Sequence, residues 1–256
     1  GRVQAGNFEI TGKLTPLALL EMITSGTPGQ DRLTIIDGWT FSQVRAALDA
    51  HPAVKHDTRG AAESDIVARL GISRRSMEGL FFPDTYNFVN NTSDVELLQR
   101  AYRAMQSQLD QLWNAREQGL PLTGPYDALI LASIVEKETG QAGERPLIAA
   151  VFLNRLRAGM KLQTDPTVIY GLGAQFDGNL RKRDLLADGP YNTYTRAGLP
   201  PTPIAMPGLA SLAAALNPAP TKALYFVAQG NGTSHFSNTL AEHERAVTKY
   251  QKRGAR

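Results

Sequence analysis

Two glutamates at the end of an apolar stretch, Glu136 and Glu138, are the residues best suited to acid–base chemistry. Glu138 follows Leu131, Ile134 and Val135 at helical spacing, so these residues are expected on one face of a helix. Glu136 points about 200° away from Glu138. It shares a smaller and more polar strip with Leu129, Ala132 and Ser133. Glu138 is therefore the carboxyl group that we predict at the buried edge of this helix.

Burial would give the Glu138 carboxyl group a particular chemistry. Desolvation raises its pKa above the roughly 4.3 of a free glutamate. A carboxyl group that stays protonated near neutral pH can donate a proton to a leaving oxygen, which glycosidic cleavage requires. The alternative is a structural role, in which Glu138 pairs with an arginine such as Arg145 or Arg155. The spacing by itself leaves both interpretations open.

Elements that could position Glu138 are predicted on its C-terminal side. The helix that begins near Tyr126 is expected to stop at Gly140, because glycine readily adopts the left-handed conformation that ends many helices. A second helix begins near Pro146, and Asp165-Pro166 then interrupts regular structure. Residues 189–207 are rich in Pro, Gly, Tyr and Thr. This mixture favours a carbohydrate groove, with an ordinary surface loop as the alternative.

The segment before Tyr126 predicts a small α+β unit followed by helices. Strands are expected at residues 7–10 and 32–36, and helices after the capping residues Thr15 and Thr40. Further helices are expected near residues 63–70 and 94–117. The aromatic segment 77–88 between them favours a buried loop, with a sugar-binding platform as the alternative. Near the C-terminus, a strand at 224–228 is expected to pair with residues 234–236 as a hairpin.

The amino-acid composition argues against nucleic-acid binding, a bound metal or cofactor and a membrane span within the given sequence. The 256 residues suffice for one large domain or two modest ones, and a net charge of +3 is too weak to imply nucleic acid. The chain has no cysteine, and its four histidines lack a metal-binding grouping, so we expect neither a metal nor a cofactor. It contains no run of 18 apolar residues, so no membrane span is predicted within it.

Four separated motifs, in the right order, resemble the YceG-like family. They read ASIVEKET, ERPLIAAVFLNRLRAGMKLQTDPTVIYGLG, YNTYTRAGLPPTPIAMPGLASLAAALNP and LYFVAQGNGTSHFSNTLAEH. The resemblance runs from about Trp39 to Tyr250 and is densest after Tyr126. It implies an α+β fold with three parts: a partial LysM-like subdomain at 1–60, a helical connecting region at 61–125 and a helix-rich catalytic domain at 126–256. The family's catalytic glutamate, the second of the EKE triplet, falls on Glu138.

The resemblance implies an endolytic lytic transglycosylase of peptidoglycan, a carbon–oxygen lyase acting on polysaccharides. In this mechanism one glutamate protonates the oxygen of the MurNAc-GlcNAc β-1,4 bond. It then takes a proton from the C6 hydroxyl of the muramic acid, which closes a 1,6-anhydro ring without water. Polar side chains should hold the sugar and stabilise its oxocarbenium-like transition state. We expect this groove to be formed by Gln163, Thr164, Asp165, Tyr191, Asn192 and Tyr194.

Two other functions remain open on the residues alone. One is a non-catalytic peptidoglycan-binding or scaffold protein of the cell envelope, in which Glu138 is merely structural. The other is a muramidase-type hydrolase, which normally needs a second carboxylate; Asp165 and Glu144 are the candidates for it.

The resemblance also carries expectations about partners and location. The expected partners are glycan strands of peptidoglycan, with peptidoglycan synthases of the penicillin-binding class as candidate protein partners and no nucleic acid. Relatives begin with a short cytoplasmic tail and one transmembrane helix. We therefore expect the full-length protein to be anchored by a single span at the periplasmic face of the bacterial inner membrane, with the anchor outside the given sequence.

Overall fold

The protein is described by a computed structural model that covers residues 15–25, 30–74 and 76–252; the strand predicted at 7–10 lies outside these ranges. In the first half, helices alternate with short strands: α1 Pro16–Ser25, β1 Asp31–Thr34, α2 Phe41–Ala50, β2 Val54–Lys55, α3 Glu63–Leu70, β3 Thr85–Phe88, β4 Thr92–Ser93 and α4 Asp94–Asn114. The second half contains α5 Pro125–Glu138, α6 Arg145–Arg157, α7 Asp165–Leu172, α8 Lys182–Leu186, α9 Leu209–Leu216, β5 Tyr225–Ala228, β6 Ser234–Ser237 and α10 Leu240–Val247. The predicted α+β class is confirmed.

The N-terminal helices begin where their capping residues predict. The Thr40 hydroxyl accepts a hydrogen bond from the Gln43 backbone, and the Gln43 side chain accepts one from the Thr40 backbone. This reciprocal pair satisfies backbone donors that the first turn of α2 would leave free. Phe41, Val44 and Leu48 then face the core, because they recur at helical spacing.

Two strand pairs tie the N-terminal elements to the middle of the chain. β1 pairs antiparallel with β3, with Leu33 opposite Tyr86. β2 pairs in parallel with β4, with Val54 opposite Thr92. Both pairings cross residue 60, so residues on the two sides of that predicted boundary share backbone hydrogen bonds and one apolar cluster. The three-part division and its LysM-like component remain predictions.

The aromatic segment 77–88 is buried, as the favoured interpretation predicts. Phe81 is fully buried, and Leu80, Tyr86 and Phe88 are also in the core. Phe81 stacks on Phe41 of α2 with ring centroids 5.4 Å apart. The alternative of a sugar platform is therefore wrong for Phe81, Tyr86 and Phe88, because these rings are buried in the core.

Helix α5 is the central helix around which other helices of the second half pack. Every residue from 128 to 135 is inaccessible, and the helix packs against α4, α6, α7 and α9. The strip of Leu129, Ala132 and Ser133 is therefore as deeply buried as the strip that leads to Glu138. The smaller and more polar residue types of the Glu136 strip therefore do not correspond to greater exposure. Its small side chains instead allow close packing of helix against helix.

The end of α5 differs from the prediction. The chain leaves the helix at Thr139 in an extended conformation, with φ −143° and ψ 137°, and Gly140 is not left-handed. The Thr139 hydroxyl accepts a hydrogen bond from the Gln141 backbone, which supports the turn that follows. In the described part of the chain, no helix is long and apolar enough to cross a membrane.

Candidate active site

Glu138 lies in an open groove of about 630 Å³ between the end of α5 and the C-terminal hairpin. Glu138 lines this groove together with Asp165 and Tyr194. Arg155, Tyr225 and His243, which contact one another, form another part of its wall. The groove therefore brings together acidic groups, a cation and aromatic rings.

Burial tunes the Glu138 carboxyl group towards its protonated form. Desolvation raises its pKa, and the charge of Asp165 acts in the same direction. A hydrogen bond of 2.7 Å from the Thr164 hydroxyl to Glu138 Oε2 opposes the shift, because it stabilises the carboxylate. Within the described residues, no cationic side chain forms an ion pair with Glu138. The structural pairing with Arg145 or Arg155 is therefore not observed.

The neighbouring Glu136 has a different environment. Its Oε1 lies 3.4 Å from Arg145 Nη2, and its Oε2 accepts a hydrogen bond of 3.0 Å from the Gly208 backbone. Gly208 is the N-cap residue of α9, so Glu136 supplies an acceptor at the start of that helix. Glu136 is thus neutralised and tied to two other helices. This leaves Glu138 as the α5 carboxylate available for chemistry in the groove.

A threonine network holds the segment that faces Glu138. The Thr193 hydroxyl accepts a hydrogen bond of 3.1 Å from the Thr164 backbone and lies 2.9 Å from the Thr167 hydroxyl. Gln163 has φ +52°, an uncommon conformation for a residue other than glycine. Such a conformation persists only where surrounding contacts enforce it, and here it directs the Thr164 hydroxyl to Glu138.

Asp165 and Tyr194 form a second polar pair in the groove. The Tyr194 hydroxyl donates a short hydrogen bond to Asp165 Oδ1. Burial, the bonded Asp165 and the nearby Glu138 all raise the pKa of Tyr194, so its hydroxyl stays protonated. Asp165 is the first residue of α7, where the helix dipole favours a negative charge.

Four of the predicted groove residues therefore gather around Glu138: Gln163, Thr164, Asp165 and Tyr194. Tyr191 does not. Its ring packs edge-on against Tyr170 with centroids 4.9 Å apart, and its hydroxyl lies 2.8 Å from that of Thr202. It lines a different cavity, of about 1190 Å³, between α2 and α7.

Asn192 is also outside the groove. It is buried, and its Nδ2 donates to the carbonyls of Asp184, Leu185 and Ala187, the last at 2.7 Å. Its Oδ1 accepts a hydrogen bond of 2.9 Å from the Tyr194 backbone. Its amide is thus fully used by the protein, and direct hydrogen bonding to a sugar, as predicted from the loop composition, is contradicted.

Glu144, the other candidate for a second carboxylate, holds the hairpin instead. Both of its oxygens bond Ser234, one to the backbone N–H and one, at 3.0 Å, to the hydroxyl. It does not line the groove. Asp165 is consequently the second carboxylate that the structure brings to the site.

The sequence analysis did not predict the part of the groove that Arg155, Tyr225 and His243 form together. The Arg155 guanidinium lies over the Tyr225 ring, 5.1 Å from its centroid, and the same ring stacks on His243 at 5.2 Å. These residues come from α6, β5 and α10, so no spacing in the sequence brings them together. The available signal was an arginine at helical spacing from the apolar residues Ile148, Val151 and Phe152, which places it on the buried face of α6.

Fold and site together define a class: an α+β protein with a desolvated glutamate in an open groove, suited to acid–base chemistry. The YceG-like family model matches residues 1–249. The chain belongs to this family.

Individual relatives agree with this assignment. A protein of Bacillus subtilis strain 168 named endolytic murein transglycosylase is 32% identical over 271 residues, covering 96% of this chain and 73% of the relative. A protein of the same name from Streptococcus pneumoniae serotype 2 is 31% identical over 185 residues, covering 70% of this chain and 33% of the relative. A crystal structure of a yceG-like protein from Listeria monocytogenes has a TM-score of 0.68 at 29% identity. The match covers 89% of this chain and 80% of that one.

Proposed function

We propose that this protein is an endolytic lytic transglycosylase that cleaves the MurNAc-GlcNAc β-1,4 bond of peptidoglycan without water. The observation that carries the proposal is the Glu138 carboxyl group, whose pKa burial raises and which no cation neutralises within the described residues. The names of the relatives from Bacillus subtilis and Streptococcus pneumoniae support the substrate and the type of reaction.

In the proposed mechanism, Glu138 acts twice. Its protonated carboxyl group donates a proton to the glycosidic oxygen as the C1–O bond breaks. The resulting carboxylate takes the proton of the C6 hydroxyl of the same muramic acid, and that oxygen bonds to C1. The 1,6-anhydro ring closes, and Glu138 returns to its protonated form, so one carboxyl group suffices.

The polar neighbours support this chemistry. The hydrogen bond from Thr164 fixes Glu138 Oε2, so the proton to be donated lies on a defined oxygen. Asp165 places a negative charge in the same groove, where it favours the positive charge that develops on the sugar ring. The proton of the Tyr194 hydroxyl is directed at Asp165, which keeps this carboxylate oriented.

A muramidase-type hydrolase is the second candidate, because Asp165 lies in the groove with Glu138. Mass spectrometry of products from purified peptidoglycan in ¹⁸O-labelled water separates the two. Transglycosylation yields 1,6-anhydro-muramic ends that are one water lighter and carry no label. Labelled reducing ends would make the protein a hydrolase with Asp165 as its base, and the absence of any new ends would reject both enzymes.

We also propose that the full-length protein acts at the periplasmic face of the inner membrane, where it would meet nascent glycan strands and their synthases. The proposal rests on the substrate, which lies outside that membrane. A reporter enzyme that is active only after export, fused to the C-terminus, is expected to be active. An inactive but stable fusion would reject this location.

A further inference from the structure

Arg155 is a buried cation whose hydrogen-bond partners are all neutral. Its side chain belongs to α6, and the residue is only 8% exposed. Nε donates to the Leu224 carbonyl at 2.7 Å. Nη1 donates to the Leu162 carbonyl at 2.9 Å, the Lys161 carbonyl at 3.2 Å and Gln163 Oε1 at 3.3 Å. These bonds fix the orientation of the guanidinium but leave its charge unbalanced.

The remaining nitrogen of Arg155 is Nη2, which makes none of these bonds. Within the described residues Nη2 has no hydrogen-bond partner. It is nevertheless not fully buried, so it remains accessible. Arg155 lines the groove, so the two N–H donors of Nη2 are open to it. Glu138 and Asp165 line the same groove, yet neither lies within ion-pair distance of Arg155.

An unpaired buried charge is costly, and this one is only partly compensated. Burial lowers the pKa of the Arg155 guanidinium, which reflects that cost. The face of the Tyr225 ring offers some compensation through its π electrons. His243 stacks on the same ring, with centroids 5.2 Å apart. These three side chains therefore bring one cation, Arg155, and no anion to the groove.

We propose that Arg155 is a substrate-binding residue whose Nη2 binds a carboxylate of the glycan strand in the groove that Glu138 also lines. The inference rests on the proposed function, and it deepens that function by adding a specificity: the groove selects strands that carry a carboxylate near the cleaved bond. Muramic acid supplies this chemistry in two ways. Its lactyl group ends in a free carboxylate when no peptide is attached, and an attached peptide brings carboxylates of its own.

Binding to the inactive variant Glu138→Gln tests the inference separately from catalysis. The ligands are soluble glycan fragments with free carboxylates and the same fragments after amidation of those carboxylates, each measured by calorimetry. The free acid should bind at least about tenfold more tightly, which corresponds to one charge-assisted hydrogen bond. Equal affinity for the two forms overturns the inference. Peptide-free and peptide-bearing fragments, compared in the same way, show which carboxylate is bound.

Substitutions then assign the preference to Arg155. In the Glu138→Gln background, Arg155→Gln should abolish the preference for the acid, and Arg155→Lys should reduce it. Arg157→Gln is the matched control, because it removes the same charge from an exposed position on α6, where the side chain hydrogen-bonds Asn154. It should leave the preference unchanged. A folded Arg155→Gln protein that keeps the full preference overturns the assignment.

A measurement without substitution at Arg155 covers the case in which these variants do not fold. In ¹⁵N-arginine-labelled Glu138→Gln protein, the Arg155 signals, identified by their contact with Tyr225, should shift with the acid and not with the amide. Unchanged signals at saturation overturn the inference. Failure of the proposed function looks different: the unsubstituted protein then leaves peptidoglycan uncut, while the binding preference persists.

Discussion

At the scale of single residues, Glu136 and Glu138 lie on the same buried helix but differ in their charged partners. Glu136 has a cationic partner, whereas Glu138 has none among the described residues. Arg145 and the start of α9 hold Glu136. In the part of the chain that the structure describes, Glu138 has a single side-chain hydrogen bond, from Thr164, and an acidic neighbour, Asp165. Two carboxyl groups on the same turn of α5 are therefore suited to different tasks, one structural and one chemical.

The first prediction compares these two glutamates. Glu138→Gln should lower turnover of peptidoglycan by at least about 10²-fold, because glutamine cannot donate or accept the transferred proton. Glu136→Gln should keep most of its activity but unfold more easily, by roughly 3 kcal/mol, because Arg145 loses its counter-charge in a partly buried site. Turnover and thermal midpoint are measured for both proteins. The reverse pattern of activity would reject Glu138 as the proton donor.

The second prediction concerns the stability cost of Glu138. Because its pKa is raised in the folded state, the unfolded state loses the proton more readily, and stability falls as the pH rises through the folded pKa. Glu138→Gln should therefore be more stable than the unsubstituted protein at pH 8. This advantage should vanish below about pH 4, where the carboxyl is protonated in both states. Denaturant titrations at the two pH values check this, and an equal gain at both would contradict it.

The third prediction concerns Thr164. Its hydrogen bond stabilises the Glu138 carboxylate, so Thr164→Val should raise the pKa of Glu138 further. Donation requires the protonated form, so the alkaline limb of kcat/KM should move to higher pH. Thr195→Val is the control, since the Thr195 hydroxyl bonds Asp188 away from the groove. An alkaline limb that stays in place or moves to lower pH would reject this role of Thr164.

At the scale of elements, the segment 189–203 supports the groove more than it lines it. Asn192 binds the carbonyls at the C-terminal end of α8, and Thr193 fixes the segment before α7. Tyr194 is the side chain of this run that reaches the groove. The polar composition of the segment reflects the need to satisfy the backbone groups of a folded loop at least as much as contact with a sugar.

The fourth prediction follows for Asn192. Asn192→Ala leaves three carbonyls and the Tyr194 N–H without their partner, which should cost about 2 kcal/mol. The thermal midpoint should then fall by roughly 4–8 °C, with most activity retained at low temperature. Asn231→Ala, in the exposed turn of the hairpin, is the control and should change the midpoint less. A stable but inactive Asn192→Ala protein would instead favour direct contact with substrate.

At the scale of the whole molecule, Glu78 connects the two halves of the chain. It is buried, and its carboxylate accepts hydrogen bonds from the Phe41 backbone at 3.0 Å and the Tyr170 hydroxyl at 3.2 Å. Phe41 begins α2 and Tyr170 lies in α7, the helix that carries Asp165 at its other end. Burial raises the pKa of Glu78 to about 7, although these hydrogen bonds oppose the shift. The contact between the halves therefore depends on pH.

The fifth prediction uses this dependence. A raised folded pKa gives stability that is fully present below the unfolded pKa of about 4.3 and is lost as the pH rises through about 7. Glu78→Gln should remove this contribution, on the order of 3 kcal/mol, from the difference in stability between pH 4 and pH 8. Denaturant titrations of both proteins at these values provide the measurement. Parallel pH profiles would show that Glu78 does not titrate in this range.

The sequence by itself determined the features of the fold that depend on the spacing of nearby residues. Capping at Thr40 places the start of α2, the apolar period places the helix that ends in Glu138, and the buried aromatic run at 77–88 follows from its composition. These features arise from residues within a few positions of each other, so helical geometry and side-chain type suffice to predict them. The motifs also sufficed to indicate the family.

Only the tertiary structure decided which groups neutralise, orient or face one another. The pairing of Arg145 with Glu136, the use of Asn192 by backbone carbonyls and the wall of Arg155, Tyr225 and His243 all join distant segments. The net charge and desolvation of a carboxyl group depend on every element packed around it, and no spacing along the chain encodes that sum. For this reason the sequence favoured Glu138 on a difference in burial, whereas the structure distinguishes it by the absence of a cationic partner among the described residues.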